Sequence, residues 1–397
     1  MAGEKWFREF ERHFDEGGGV RVFFAPGRVN LIGEHTDYTG GFVFPAALTF
    51  GTWVLVRPRR DGWFRFASCQ MEREVHCRVD EIRFRPEDGW ANYPKGIIHQ
   101  FLEKGVQLDG ADMLYHGNIP MGSGLSSSAS IEMATAVACQ ALAGTDWPMV
   151  ELVKMAQRAE NHFIGVQCGI MDQFASGMGR KDNAILLHCD TLRYRYAPLE
   201  LGDYRLIITH TNKPRELADS KYNERRAECE EGFKQIRSWL ENASSLGEVD
   251  VDTWQRVRER VSDPTLRKRL THVVEENARV HASVEALEEG DLIAFGRLMI
   301  QSHESLRDLY EVTGKELDAL FDAARQVDGC IGTRMTGAGF GGCTVSLVHR
   351  DAVETFQEEV GKQYERQTGL TPAFYTAEIG DGAREVSEEV FTSWRFS

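Results

Sequence analysis

Strand-like and helix-like patterns follow one another along this chain in mixed order, with no regular strand–helix–strand alternation. That order points to an α+β fold rather than a wound parallel sheet. From Val20 to about Val56, short β-branched and aromatic runs alternate with glycine turns, as in strands. At 119–143 a glycine-rich turn, PMGSG, leads into SSSASIEMATAVACQALAG, a helix of high propensity whose serine hydroxyls can cap its start. RLIITHT (205–211) reads as a strand. The stretch from Asn223 to Val327 is dominated by charged helices whose acidic residues are expected to face water. CTVSLV (343–348) and PAFYTAEI (372–379) are two further strands bracketing a helix over about 351–367. Trp6, Phe7, Phe10 and Phe14 recur at helical spacing, the pattern of an amphipathic N-terminal helix packed on the body of the protein.

The chain is long enough, at 397 residues, for two or three domains, and its 46 Lys+Arg against 61 Asp+Glu leave a net charge of −15. An acidic field of that size argues against nucleic acid and against anionic membrane surfaces as partners, so any phosphate must be handled locally. The least polar stretch, Phe42 to Val56, is interrupted by Pro45, Thr49, Gly51 and Thr52 and falls short of the ~18 apolar residues that a membrane span needs. The eight cysteines form no CxxC pair and no zinc spacing, which fits free thiols in a reducing cytoplasm.

Three glycine-rich segments carry the chemistry. GRVNLIGEHTDYTGG (27–41) gathers Arg28, Glu34, His35 and Asp37 beside tight turns. Such a set can surround a small polyhydroxylated ligand with charge-assisted hydrogen bonds, or it can be a surface turn with solvated charges. A metal site there lacks a second histidine cluster to support it. PMGSGLSSSAS (120–130) places free backbone N–H groups at a helix start, a ready anion site or simply a capped helix. It is not a Walker loop, because Leu125 stands where that loop requires lysine. Its serines could ligate Mg²⁺, which favours oxygen. RMTGAGFGGCTVSLV (334–348) contains a literal GxGxxG but runs into a strand rather than a helix, so a glycine hairpin fits better than a dinucleotide site. Glu160 lies on a helix expected to begin near Asp146 and Pro148, where an Asp cap and an early Pro are favourable. Asp172 sits in the apolar CGIMDQF, where an ionised carboxylate needs a cation nearby.

At these residues the sequence resembles the galactokinases of the GHMP kinase superfamily over essentially its whole length. GRVNLIGEHTDY is similar to the galactokinase signature, PMGSGLSSSAS to the superfamily's phosphate-binding motif and RMTGAGFGGC to its third motif, with CGIMDQF and SKYNERR (220–226) matching further blocks in order. The resemblance implies a two-domain GHMP kinase fold, divided into 1–175 and 176–397, with the active site in the cleft between them. It implies a cytoplasmic enzyme that phosphorylates α-D-galactose at O1 with ATP and Mg²⁺, expected as a monomer with an oligomer left open. Asp172 and Arg28 become the catalytic pair. Glu34, His35, Asp37, Gly169, Asp172 and Tyr222 match sugar-contacting positions, with Asp37 near the hydroxyls that distinguish galactose from its 4-epimer. Gly122, Ser123, Gly124, Leu125, Ser126, Ser127 and Ser128 would cradle ATP phosphates, and Ser128 with Glu160 would hold Mg²⁺. THTNKPREL (209–217) departs from the block of many eukaryotic members, resembles the bacterial branch, and leaves Lys213 and Arg215 without a role. Kinases of N-acetylated or pentose sugars would share every motif, whereas a galactose sensor of this fold would have a damaged GLSSSA segment, which is intact here.

Overall fold

The computed structural model describes residues 2–120, 122–213, 218–240 and 243–393. The N-terminal helix α1 (Ala2–Phe14) forms as its aromatic spacing predicts, with Phe10 and Phe14 buried. Then come β1 (Arg21–Asn30), β2 (Phe42–Val43), β3 (Pro45–Pro58), β4 (Trp63–Ser68), β5 (Val75–Arg78), α2 (Asn92–Glu103) and β6 (Gly110–Gly117). Three helices follow: α3 (Ser127–Ala143), α4 (Met149–Arg158) and α5 (Met171–Met178), with a π-helical turn, Ala159–Ile164, after α4. Beyond them lie β7 (Asn183–His188), β8 (Tyr194–Pro198) and β9 (Tyr204–His210).

The later part of the chain opens with helices α6 (Ala218–Ile236), α7 (Val251–Val257), α8 (Pro264–Glu288), α9 (Leu292–Ser305) and α10 (Lys315–Ala324). It closes with β10 (Cys330–Thr336), β11 (Cys343–His349), α11 (Val353–Thr368), β12 (Ala373–Ala377), β13 (Arg384–Val386) and α12 (Glu388–Ser393). The α+β reading holds.

Three sheets organise these elements. Six strands in the order β13-β1-β3-β6-β4-β5 form the first, antiparallel except for the parallel pair β4/β6. Its period-two alternation buries both faces. Phe23, Val54, Val56, Phe64 and Met113 pack under α2–α5. Val22, Phe24, Trp53, Leu55 and Leu114 pack under α1 and Phe391 of α12. The second sheet, β10-β11-β9-β12, is antiparallel and also covered twice. Leu206, Ile208, Val345 and Leu347 meet Val280, Val284, Phe295 and Met299 of α8 and α9, while Ile207 and Val348 meet α10 and α11. Two strand pairings cross residue 175: β13 adds to β1, and β2 pairs with β7 in the three-stranded sheet β2-β7-β8.

Two local expectations are corrected. Helix α4 starts at Met149 with Pro148 at its N-cap and no side-chain cap, so Asp146 does not cap it, and Glu160 lies in the π turn beyond. Helix α3 has no side-chain cap either. Ser126, its N-cap residue, sits in the left-handed region at φ 63° and turns its hydroxyl elsewhere.

Candidate active site

The three glycine-rich segments meet in one cleft. β1 carries Arg28 just past a bulge between Pro26 and Arg28. The Arg28 amide donates to the Leu125 carbonyl at 3.1 Å, which ties the strand to the loop before α3. Gly27 permits this approach, since a Cβ there would meet the Leu125 carbonyl at 2.5 Å. A Cβ on Gly337, in the β10–β11 hairpin, would lie 3.1 Å from the Gly124 carbonyl. The second and third motifs therefore touch backbone to backbone, and the GxGxxG is the hairpin its onward strand suggests.

Asp172, in the first turn of α5, stands at this junction. Its Oδ1 accepts from Arg28 Nε and Nη2, both at 2.8 Å, while Arg28 Nη1 donates to the Gly124 carbonyl at 2.7 Å. Its Oδ2 accepts from the Ser126 hydroxyl at 2.6 Å. One fork thus locks the carboxylate to the phosphate-loop backbone, and the strained serine holds the other oxygen.

The cleft, about 260 Å³, is lined from the early segments by Arg28, Glu34, His35, Asp37, Gly122, Gly124, Ser126, Ser127, Ser128, Gly169 and Asp172, and from beyond residue 175 by Tyr222, Gly337 and Ala338. Val166, Cys168 and Met171 complete its wall. Ser123 and Leu125 are buried away from it, and Leu125 packs in the core. Lys213 is paired with Glu316 at 2.7 Å, and Arg215 lies outside the described residues.

Burial tunes the polar groups. The Glu34 carboxylate takes hydrogen bonds from Asn30 Nδ2 and the Gly337 amide and lies 3.6 Å from Arg334. Burial raises its pKa against these partners. Burial, with the neighbouring His272 adding to it, drives His35 down to about 3, so its imidazole is neutral. Nε2 faces the Ala338 carbonyl at 3.2 Å and must carry the proton, which leaves Nδ1 to accept from the Tyr38 hydroxyl at 2.8 Å. Burial and, second, the charge of Asp172 push Asp37 up to about 7. Gly169 lies so close to Asp37 that a Cβ would collide with that carboxylate. The Tyr222 ring closes over His35 and Tyr38, with centroids 5.6 and 5.0 Å away.

Behind the cleft, Glu160 is buried, bonded to Ser128 and, at 2.6 Å, to Gln173 Nε2. Burial followed by the charge of Asp172 raises it to about 7. Neighbouring Glu132 is fully buried, and burial followed by the charge of Glu160 raises its pKa well above the ordinary value. Among the described residues no group of three or more His, Cys, Asp or Glu could hold a metal ion. An oxygen-only pair, Ser128 and Glu160, that is short of positive charge fits an ion taking one or two protein oxygens and completing its shell from substrate phosphates, which is the habit of Mg²⁺.

A second cavity, about 340 Å³, adjoins Ser127 and Ser128 and is apolar: Met71, Trp90, Tyr93, Tyr115, Ile119 and Ile131 line it. Sequence reasoning missed it. The Trp90–Tyr93 pair, three residues apart where the chain enters α2, is the one local signal.

The family models agree with this geometry. "Galactokinase galactose-binding signature" matches residues 8–58, "GHMP kinases N terminal domain" 92–180 and "GHMP kinases C terminal" 283–366. A mevalonate kinase structure shares the fold at TM-score 0.65 and 18% identity over 92% of this chain and 100% of its own. Fold and junction together define a GHMP kinase. The galactokinase of Fusobacterium nucleatum is 52% identical, covering 96% of this chain and 99% of its own, and that of Bacillus subtilis 49%, covering 96% and 98%. A crystal structure of Lactococcus lactis galactokinase complexed with galactose superposes with TM-score 0.95 at 43% identity, covering 97% of this chain and all of that one. The chain belongs to the galactokinase family.

Proposed function

We propose that the cleft transfers the γ-phosphoryl group of ATP to O1 of α-D-galactose, giving α-D-galactose 1-phosphate and ADP. The arrangement of Asp172 carries this reading: a carboxylate locked between Arg28 and Ser126, where the sugar-signature strand, the phosphate loop and the glycine hairpin meet. Oδ1 is filled by the arginine, whereas Oδ2 keeps a lone pair beyond the Ser126 bond, and we assign that position to the O1–H proton. Phosphoryl transfer depends mainly on positioning and charge. Arg28 fixes the carboxylate relative to the Gly124 carbonyl and therefore relative to the phosphates. The backbone of Gly122 and Gly124, with Ser126–Ser128 at the start of α3, favours the anionic phosphates. Glu34, His35, Asp37, Gly169 and Tyr222 hold the sugar hydroxyls, and buried partners of that kind reject a misplaced epimer.

Ser128 and Glu160 are the residues we assign to Mg²⁺, which when bound with ATP spreads the phosphate charge. The apolar cavity beside Ser127 suits the flat face of adenine against Trp90 and Tyr93. Among the described residues no helix is long and apolar enough to cross a membrane. The eight free cysteines suit a reducing compartment, and the cytoplasm is the setting we propose.

The test is a coupled ADP assay across galactose, glucose, talose, N-acetylgalactosamine and arabinose, with wild type and Asp172→Asn. Galactose as the preferred acceptor and near-complete loss in the variant are expected. Preference for another sugar refutes the substrate, and wild-type turnover by Asp172→Asn refutes the role of that carboxylate.

A further inference from the structure

The loop that carries the sugar-facing residues, 31–44, is gripped by a helix outside all three glycine-rich motifs. Helix α8 presents His272 and Glu276, one turn apart on the same face, and the adjacent Asn277 toward it. Asn277 Oδ1 accepts from the Phe42 amide at 2.8 Å. Glu276 Oε1 accepts from the Gly33 amide at 3.0 Å and from the Ser302 hydroxyl at 2.5 Å. Glu276 is completely buried, its charge met by Arg279 Nε at 2.7 Å and Arg334 at 3.8 Å. His272, also completely buried, lies with Nε2 3.1 Å from the Glu34 carbonyl and Nδ1 2.8 Å from the Ser305 hydroxyl.

A carbonyl only accepts, so Nε2 carries the His272 proton and Nδ1 accepts from Ser305. Burial, the leading cause, holds this imidazole neutral with a pKa of about 4, which agrees with a single N–H. The helix therefore holds the loop at Gly33 and Phe42 and, between them, at the peptide joining Glu34 to His35, both of which line the cleft. The Tyr310 ring fills the space between the two imidazoles, with centroids 4.5 Å from His272 and 4.9 Å from His35.

We propose that α8 is the template of the sugar loop, and that His272 is a positioning residue that sets galactose affinity by fixing the Glu34–His35 peptide without touching the sugar. The proposal rests on reading the cleft as the galactose site. It separates sugar from nucleotide: the α8 contacts end on the sugar loop, whereas the phosphate loop is held by Arg28.

The experiment measures galactose binding by calorimetry without ATP, together with KM for galactose and for ATP, in wild type, His272→Leu and His272→Gln. Losing one buried hydrogen bond from the template should weaken galactose binding roughly ten-fold in His272→Leu, while KM for ATP stays within about two-fold. The amide N–H of glutamine can stand in for Nε2–H, so His272→Gln should bind galactose within about three-fold of wild type. Wild-type galactose affinity in His272→Leu, an equal rise in both KM values, or no recovery in His272→Gln overturns the proposal. Should His272→Leu fail to fold, Ser305→Ala removes the donor to Nδ1 and must weaken galactose binding in the same direction, and an unchanged affinity overturns the proposal. A wild-type protein that binds another hexose and not galactose would instead refute the reading of the cleft.

Discussion

Galactose binding should tighten as the pH rises through neutrality, because Asp37 sits at the edge of ionisation. Burial and the charge of Asp172 bring its carboxyl from an ordinary 3.8 up to about 7. Sugar hydroxyls are donors to a carboxylate, and the ionised form accepts at both oxygens with charge assistance, whereas the protonated form gives up an acceptor site. If the ionised form alone binds well, KM for galactose scales as one plus the ratio of proton concentration to Ka. That factor is about 11 at pH 6 and about 1.1 at pH 8, a roughly ten-fold fall in KM across two pH units. His35 cannot produce the effect, since at about 3 it is neutral throughout. The assay is ADP release at saturating ATP, paired with calorimetric galactose binding so that pH effects on turnover are kept apart. Asp37→Asn should bind galactose more weakly and without the slope. A wild-type galactose affinity that is flat from pH 6 to 8, or a slope that survives in Asp37→Asn, refutes the reasoning.

Arg28→Lys keeps the charge but not the fork, and a single ammonium does not reproduce the paired bonds to Asp172 held at a fixed distance from the one to the Gly124 carbonyl. kcat should fall by roughly 10²-fold in the ADP assay, and a wild-type kcat would show that the fork is dispensable. Glu160→Gln should raise the Mg²⁺ concentration needed for half-maximal activity, and an unchanged metal titration would remove Glu160 from the ion. Asp112, near the start of β6, is buried against its charge but is held below the usual carboxylate range by bonds from Arg65 and Arg57, with Arg59 alongside. A depressed pKa stabilises the fold above the ordinary carboxylate range and is lost as pH falls through its folded value. Asp112→Asn should therefore cost about 3 kcal/mol at pH 7, and the gap in thermal midpoint should close in acid, whereas equal midpoints at pH 7 would refute it.

What the sequence disclosed divides by the range of the forces involved. The glycine loops were legible because their geometry is local: Gly122 and Gly124 at φ 71° and 74° supply turns no other residue takes easily. Their order and company carried the family and most of the cleft. Ser126 was misread as a cap because a hydroxyl before a helix ordinarily bonds the helix. Here a carboxylate 46 positions away claims it. Glu276 was read with the solvated helices, since nothing near it in the chain reveals that Arg334 and the Gly33 amide await it in the core. The apolar cavity was invisible for a similar reason, with walls that come from β3, β4, β6, α2, α3 and the loops beside them. Asp112 shows the same limit, because its three arginines lie across the sheet.

The pairing of β13 with β1 dictates an order of assembly during synthesis. β1 leaves the ribosome early, yet its outer edge is completed by residues 384–386, and the Phe24–Trp53 side of the sheet is sealed by Phe391. At about 5–20 residues per second, that edge waits on the order of tens of seconds with its backbone unpaired. A nascent chain stalled before β13 therefore exposes a sticky strand at the very element that carries Arg28. β13 thus acts as a latch, and its arrival is the event that finishes the first sheet.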